Sequence, residues 1–124
     1  MRNSKYIFVL STGRTATKAI AQYFDQCYTN VVAYHEPKPS RTMRIVSNLR
    51  LADKLKPNIL GYILRFSRRK ILNNNRHTFY LETNPFLYGF IEELDVIFDN
   101  VKIVHITRHP ESFIRSYLNF GVFR

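Results

Sequence analysis

The sequence predicts an α/β fold, a parallel sheet of about four strands with helices on both faces, and three observations carry that prediction. Short β-branched and aromatic runs alternate with longer segments whose apolar residues recur every three or four positions, the order that builds a parallel sheet. Each apolar run ends in a polar cluster: Ser11 to Thr17, His35-Glu36, Glu82-Thr83-Asn84 and Thr107-Arg108. In a parallel sheet all such ends share one edge, and ligands bind there. At 124 residues the chain is long enough for one core and too short for two, so residues 1–124 are expected to form a single domain.

Tyr6 to Leu10 is the first strand, an aromatic and β-branched run with no turn former. Ala16, Ala19, Ile20, Tyr23, Phe24 and Cys27 then recur at helical spacing, which places Cys27 on the apolar face as a buried, inert thiol. Asn30 to Tyr34 is a second strand emptying into His35-Glu36-Pro37-Lys38-Pro39-Ser40, where two prolines so close forbid regular structure. From Arg41 the pattern is helical, with Ile45, Leu49 and Ala52 as one stripe and Val46 and Leu55 beside it. Pro57 ends that helix and opens another, whose stripe runs Ile59, Leu60, Ile63, Leu64, Phe66 and Ile71 until Asn73-Asn74-Asn75 closes it. His77 to Leu81 is the third strand. Asn84 can cap and Pro85 can begin the next helix, which shows Phe86, Phe90, Leu94 and Ile97 on one face, widened by Leu87, Ile91 and Phe98. Asp99-Asn100 turns the chain into Val101 to Thr107, the fourth strand. Arg108-His109-Pro110 opens a last helix with apolar Phe113, Ile114, Tyr117 and Leu118.

A formal charge of +10 and a pI near 10.1 call for an anionic partner, without choosing among nucleotide, nucleic acid, membrane surface and acidic glycan. Eleven of the 19 Lys and Arg residues lie from Lys38 to Arg76, where Asp53 is the only acid and Arg68-Arg69-Lys70 is the densest run. As a group they would steer an anionic nucleotide or glycan, or bind RNA or DNA with Tyr62 and Phe66 available for stacking. One cysteine excludes an internal disulfide. The N-terminal apolar run is shorter than a membrane span or a signal-peptide core, so a cytoplasmic protein without a membrane span is expected. His77, His105 and His109 have no metal-ligand spacing and read as structural; no metal site is predicted.

The turn Ser11-Thr12-Gly13-Arg14-Thr15-Ala16-Thr17 joins the first strand to the first helix. Small and hydroxylic residues entering a helix expose backbone N–H groups at the positive end of its dipole, and Arg14 and Lys18 add full charges. That is a site for a phosphate or a sulfate. The related P-loop pattern, GxxxxGK followed by Ser or Thr, is not met. Lys18 rather than glycine comes five residues after Gly13, and Ala19 stands where the lysine belongs, which disfavours a magnesium-nucleotide triphosphatase. The expected architecture is therefore P-loop nucleotide-kinase-like with different chemistry in its loop.

With anion sites at two strand ends, the sequence resembles the sulfotransferases that use 3′-phosphoadenosine-5′-phosphosulfate (PAPS). Gly13-Arg14-Thr15-Ala16-Thr17 is similar to the strand-loop-helix segment that holds the 5′-phosphosulfate in that family, with Ala16 where a glycine is usual. Arg108-His109-Pro110, with Ser116 eight residues after the arginine, resembles the segment that binds the 3′-phosphate. Glu82-Thr83-Asn84-Pro85 looks like the acidic segment found between them, with Asn84 breaking the pattern. The likeness covers Lys5 to Phe24 and Lys102 to Phe120 and is poor through the basic middle. It implies PAPS as sulfuryl donor, no metal, and a hydroxyl-bearing acceptor such as a carbohydrate. Family members continue past the last helix with a segment that closes over the nucleotide, so the resemblance also implies an incomplete family domain that can bind without turning over.

The resemblance assigns the donor to Ser11, Thr12, Gly13, Arg14, Thr15, Ala16 and Thr17, with Arg108 and Ser116 on the 3′-phosphate. Arg14 would stabilise the leaving oxygen as a permanently charged fork donor, assisted by Lys18. Glu36 resembles the base of carbohydrate-type members, and His35 is the other candidate. Glu82 is expected to orient Arg14 or Lys18. The bland alternatives are a solvated Arg14, an Arg108–Glu111 surface pair and a plain turn at His35-Glu36. Two other functional classes stay open, a nonenzymatic nucleotide-binding remnant and a basic nucleic-acid-binding protein.

Overall fold

A computed structural model describes residues 5–73 and 78–121. In chain order they form β1 (Lys5–Ser11), α1 (Thr17–Cys27), β2 (Val31–His35), α2 (Ser40–Leu51), α3 (Pro57–Ser67), α4 (Arg69–Leu72), β3 (Phe79–Thr83), a 3-10 turn (Pro85–Phe90), α5 (Ile91–Ile97), β4 (Val101–Ile106) and α6 (Pro110–Phe120). The four strands make one parallel sheet in the order β2-β3-β1-β4, with helices on both faces. The expected α/β architecture is what the chain adopts. Its connections leave β1 and β3 in opposite directions, so the end of β1 lies at the switch point where such sheets bind ligands.

Register sorts the side chains. Tyr6, Phe8 and Leu10 of β1 lie level with Tyr80 and Glu82 of β3 or with the residues of β4, on the face covered by α2, α3 and α5. There Phe8, Leu10 and Tyr80 join Met43, Val46, Leu60, Leu64, Leu87, Phe90, Leu94 and Phe98 in one buried core. On the opposite face α1 packs against β2 and β3. Gly89 lets the 3-10 turn press against α2: a Cβ there would fall 2.6 Å from Ser47 Cα, and the Ser47 hydroxyl takes the Gly89 N–H at 3.2 Å.

Several expectations are corrected in detail. In α2 the buried stripe is Met43, Val46 and Ser47, while Ile45 and Leu49 face out; two apolar stripes coexist on this helix, and the sheet took the one that brings Ser47 to the 3-10 turn. Cys27 is exposed, because α1 buries only Thr17 and Ala21. The helix expected after Pro85 begins as a 3-10 turn, with Asn84 capping it as foreseen by accepting the Phe86 N–H at 3.0 Å. The expected stop at Asn74-Asn75 and the start of the third strand at His77 lie outside the described residues. Among the described residues no helix is long and apolar enough to cross a membrane.

The largest correction concerns Glu82. It does not reach Arg14 or Lys18. Arg68, the first residue of the densest basic run, is fully buried and grips Glu82 with two charged hydrogen bonds, Nε to Oε2 at 2.8 Å and Nη2 to Oε1 at 2.5 Å. The Tyr80 hydroxyl donates to Oε2 at 2.8 Å and the Asn84 amide to Oε1 at 2.9 Å. Burial opposes the Arg68 charge, but Glu82 more than offsets it and its pKa is raised. Tyr80 is pushed well above its ordinary value, first by burial and then by the adjacent carboxylate. Arg68 is a structural cation and contributes nothing to a solvated basic surface.

Candidate anion-binding site

The loop after β1 is built with a left-handed backbone. Gly13, Arg14 and Ala16 have φ of 84°, 51° and 59°, and Ser11 Oγ accepts the Gly13 N–H at 3.2 Å. Glycine is favoured at position 13 by its φ of 84°, and a Cβ there would also fall 2.7 Å from the Tyr117 hydroxyl, which donates to the Thr12 carbonyl at 3.3 Å. Ala16 has no such excuse and carries a left-handed conformation that costs an alanine about 1–2 kcal/mol. Thr17 is buried at the start of α1, and the Thr15 hydroxyl is buried without a hydrogen-bond partner. No acidic residue occupies the first turn of α1, so the dipole's positive end is uncompensated.

The two anion segments meet. Arg108 Nη1 donates to the Arg14 carbonyl at 2.7 Å, and Arg14 Nε donates to Ser116 Oγ at 3.2 Å. The Arg14 guanidinium also lies 4.4 Å from the Phe120 ring centre. Around them opens a cavity of about 420 Å³ lined by Arg14, Arg108, Ser112, Arg115, Ser116, Asn119 and Phe120. None of its walls is a carboxylate, and among the described residues none of the three arginines is ion-paired; the alternative Arg108–Glu111 pair is not formed. α6 buries no residue, so its polar face is displayed to this cavity rather than spent on packing.

The sequence reading missed Ser112, Arg115 and Asn119. The signal was there: Arg108, Ser112, Arg115, Ser116 and Asn119 recur at three- and four-residue steps and make one polar stripe once the segment is helical.

The remaining predicted residues are distributed around this centre. Lys18 is exposed in the first turn of α1 and does not line the cavity. Ser11 and Thr12 line a second cavity of about 410 Å³ with Arg44, Asn48, Pro85, Phe86, Tyr88 and His105. His105, read from the sequence as structural, is exposed there on the strand next to β1. His35 and Glu36 are held together at the end of β2: His35 Nδ1 is 3.0 Å from Thr83 Oγ1, its Nε2 is 3.6 Å from Glu36 Oε1, and the Glu36 N–H donates to the Thr83 carbonyl at 2.9 Å. Glu36 also has a positive φ of 45°. β3 separates β2 from β1, two strand spacings or about 9–10 Å. The pair lines neither cavity.

Among the described residues no group of three or more His, Cys, Asp or Glu is placed to hold a metal ion. The fold and the loop together are a generic nucleotide-binding-like α/β architecture. Compared with models of protein families, with curated proteins and with solved structures, the chain matches none.

Proposed function

We infer that this domain binds PAPS and transfers its sulfuryl group to a hydroxyl acceptor, of which a carbohydrate is the leading class. The observation that carries the reading is the cluster of unpaired guanidiniums, Arg14, Arg108 and Arg115, joined through Ser116 to the loop at the end of β1. A nucleotide with phosphates on both its 3′ and 5′ positions offers two anionic groups to two such segments, and a cavity of about 420 Å³ lies in the usual range for small-ligand sites. Bidentate donation suits arginine to these oxygens.

PAPS supplies an activated sulfuryl group: the acceptor oxygen bonds to sulfur as the bond to the bridging oxygen breaks, and the electron pair leaves with the nucleotide's 5′-phosphate. The chain's residues position and neutralise. Ser11, Thr12, Gly13, Thr15, Ala16 and Thr17 offer hydroxyl and backbone donors to the 5′ end, and Arg14, with Lys18, holds charge beside the leaving oxygen. Arg108 and Ser116 take the 3′-phosphate, with Arg115 beside them. Glu36, with His35 as the other candidate, takes the acceptor's proton from the end of β2; the acceptor must then lie across the end of β3. One observation favours a different base: His105 borders Ser11 and Thr12 from the adjacent strand. The burial of Arg68 weakens the nucleic-acid reading, because the densest basic run loses a charge to the core.

Radiolabelled sulfate transfer from PAPS to a panel of glycans tests the enzyme. Loss of transfer in Glu36→Gln, with nucleotide affinity retained, assigns the base to β2. Transfer that survives Glu36→Gln and His35→Ala but not His105→Gln moves it to the second cavity. Nucleotide binding without any transfer reduces the domain to a binding module.

A further inference from the structure

α3 is apolar on two sides. Leu60 and Leu64 are buried against the core, whereas Ile59, Tyr62 and Phe66, at i, i+3 and i+7, form a second stripe that points away from it. Tyr62 is 71% exposed and Phe66 58%. A helix apolar all round is ordinarily covered on both sides. The chain around this outer stripe is cationic: Lys54, Lys56, Arg65, Arg69 and Lys70 are all exposed and no acid occurs from position 54 to position 70, while Glu92 and Glu93 of α5, which share a pocket with Arg65, face Arg50 at 3.2 and 3.9 Å. Arg68 faces inward to Glu82 and takes no part.

We propose that the outer face of α3 docks on an anionic lipid surface, with Ile59, Tyr62 and Phe66 entering the interfacial layer and Arg65, Arg69 and Lys70 against the headgroups. Charge complementarity selects an anionic partner, and a continuous apolar stripe that includes the aliphatic Ile59 favours lipid over nucleic acid. Tyr62 and Phe66 already lie near-parallel, 15° apart with centroids at 6.4 Å, and the Arg69 guanidinium sits 4.2 Å from the Phe66 ring centre. Arg69 covers part of the Phe66 ring, and Ile59 offers no ring at all, so the stripe is a poorer platform for successive stacked bases than for an apolar layer. Ile59, Tyr62 and Phe66 together present the apolar surface an interfacial helix buries while its arginines meet anionic headgroups. Arg68, directly after α3, bonds to Glu82 near the end of β3, so this end of the helix lies at the edge of the sheet that carries the anion loop. A docked domain would hold that edge beside the lipid surface.

Sedimentation with phosphatidylcholine vesicles, with and without phosphatidylserine, tests this independently of the nucleotide site. The expected result is binding that requires phosphatidylserine, falls by about tenfold or more in Tyr62→Ser/Phe66→Ser at unchanged charge, and falls by about fivefold for each of Arg65→Gln and Arg69→Gln. These side chains are exposed, so circular dichroism of the variants should match the parent. Arg14→Ala should bind vesicles as the parent does, which separates this surface from the anion loop. No binding to either vesicle, or anionic binding indifferent to Tyr62→Ser/Phe66→Ser, overturns the proposal. So does binding to a single-stranded RNA oligonucleotide, sensitive to Tyr62→Ser, in the absence of vesicle binding.

Discussion

Arg68 is buried with both Glu82 oxygens within 2.8 Å of its nitrogens, whereas Arg14, Arg108 and Arg115 line an open cavity whose walls hold no carboxylate. Both groups of guanidinium lie near the carboxyl ends of the strands. The first has its anion supplied by the chain, from a position on β3 one strand away from the loop. The second lacks one, although Glu111 is only three residues from Arg108. Where the fold needs an ion pair, two further donors, Tyr80 and Asn84, are arranged around it; where it leaves arginines unpaired, the backbone beside them is strained and the helix above them buries nothing. The contrast separates cations that hold the structure from cations to which the fold supplies no carboxylate.

The largest effect should come from breaking the internal pair. Arg68→Leu leaves Glu82 buried and unpaired, and urea unfolding should show a loss of about 3–5 kcal/mol. Arg68→Leu/Glu82→Leu should recover much of that loss, because the stranded charge is gone. Removing an open-cavity cation should do the opposite: Arg14→Ala should shift unfolding by no more than about 0.5–1 kcal/mol, while nucleotide affinity falls about tenfold or more for a lost charged hydrogen bond. Equal destabilisation by Arg14→Ala and Arg68→Leu would erase the distinction.

The strained loop gives a smaller effect. Ala16→Gly relieves a left-handed alanine at about 1–2 kcal/mol but adds glycine's unfolded-state entropy, so a net stabilisation of about 1 kcal/mol or less is expected in thermal melts. The smallest effect is silent at neutral pH. Tyr80 has a folded pKa raised above its unfolded value near 10, so its contribution is complete below about pH 10 and is lost as pH rises through the folded value. Stability should fall above about pH 10, and Tyr80→Phe should flatten that fall.

The sequence made the sheet legible because strand and helix periods differ and because Pro37, Pro39, Pro57, Pro85 and Pro110 punctuate the elements. The loop between β1 and α1 was legible for a similar reason, since Gly13 and its small hydroxylic neighbours mark a turn between a strand and a helix. The partner of Glu82 was not. A run such as Arg68-Arg69-Lys70 looks solvated in one dimension, and only the packing of α3 on the sheet turns its first residue inward. Ile45 and Leu49 were misplaced because α2 carries two apolar stripes and local periodicity does not rank them. His35 and Glu36 were correctly seen as neighbours at a strand end, but strand order, which puts β3 between them and the loop, is a tertiary property.

The central claim is that the unpaired arginines form a site for a bisphosphate nucleotide, and calorimetric titration with 3′-phosphoadenosine-5′-phosphate tests it most directly. Saturable binding that weakens with salt and drops by about tenfold or more in Arg108→Ala is the predicted result. Absence of binding, or binding that Arg108→Ala leaves unchanged, would contradict it.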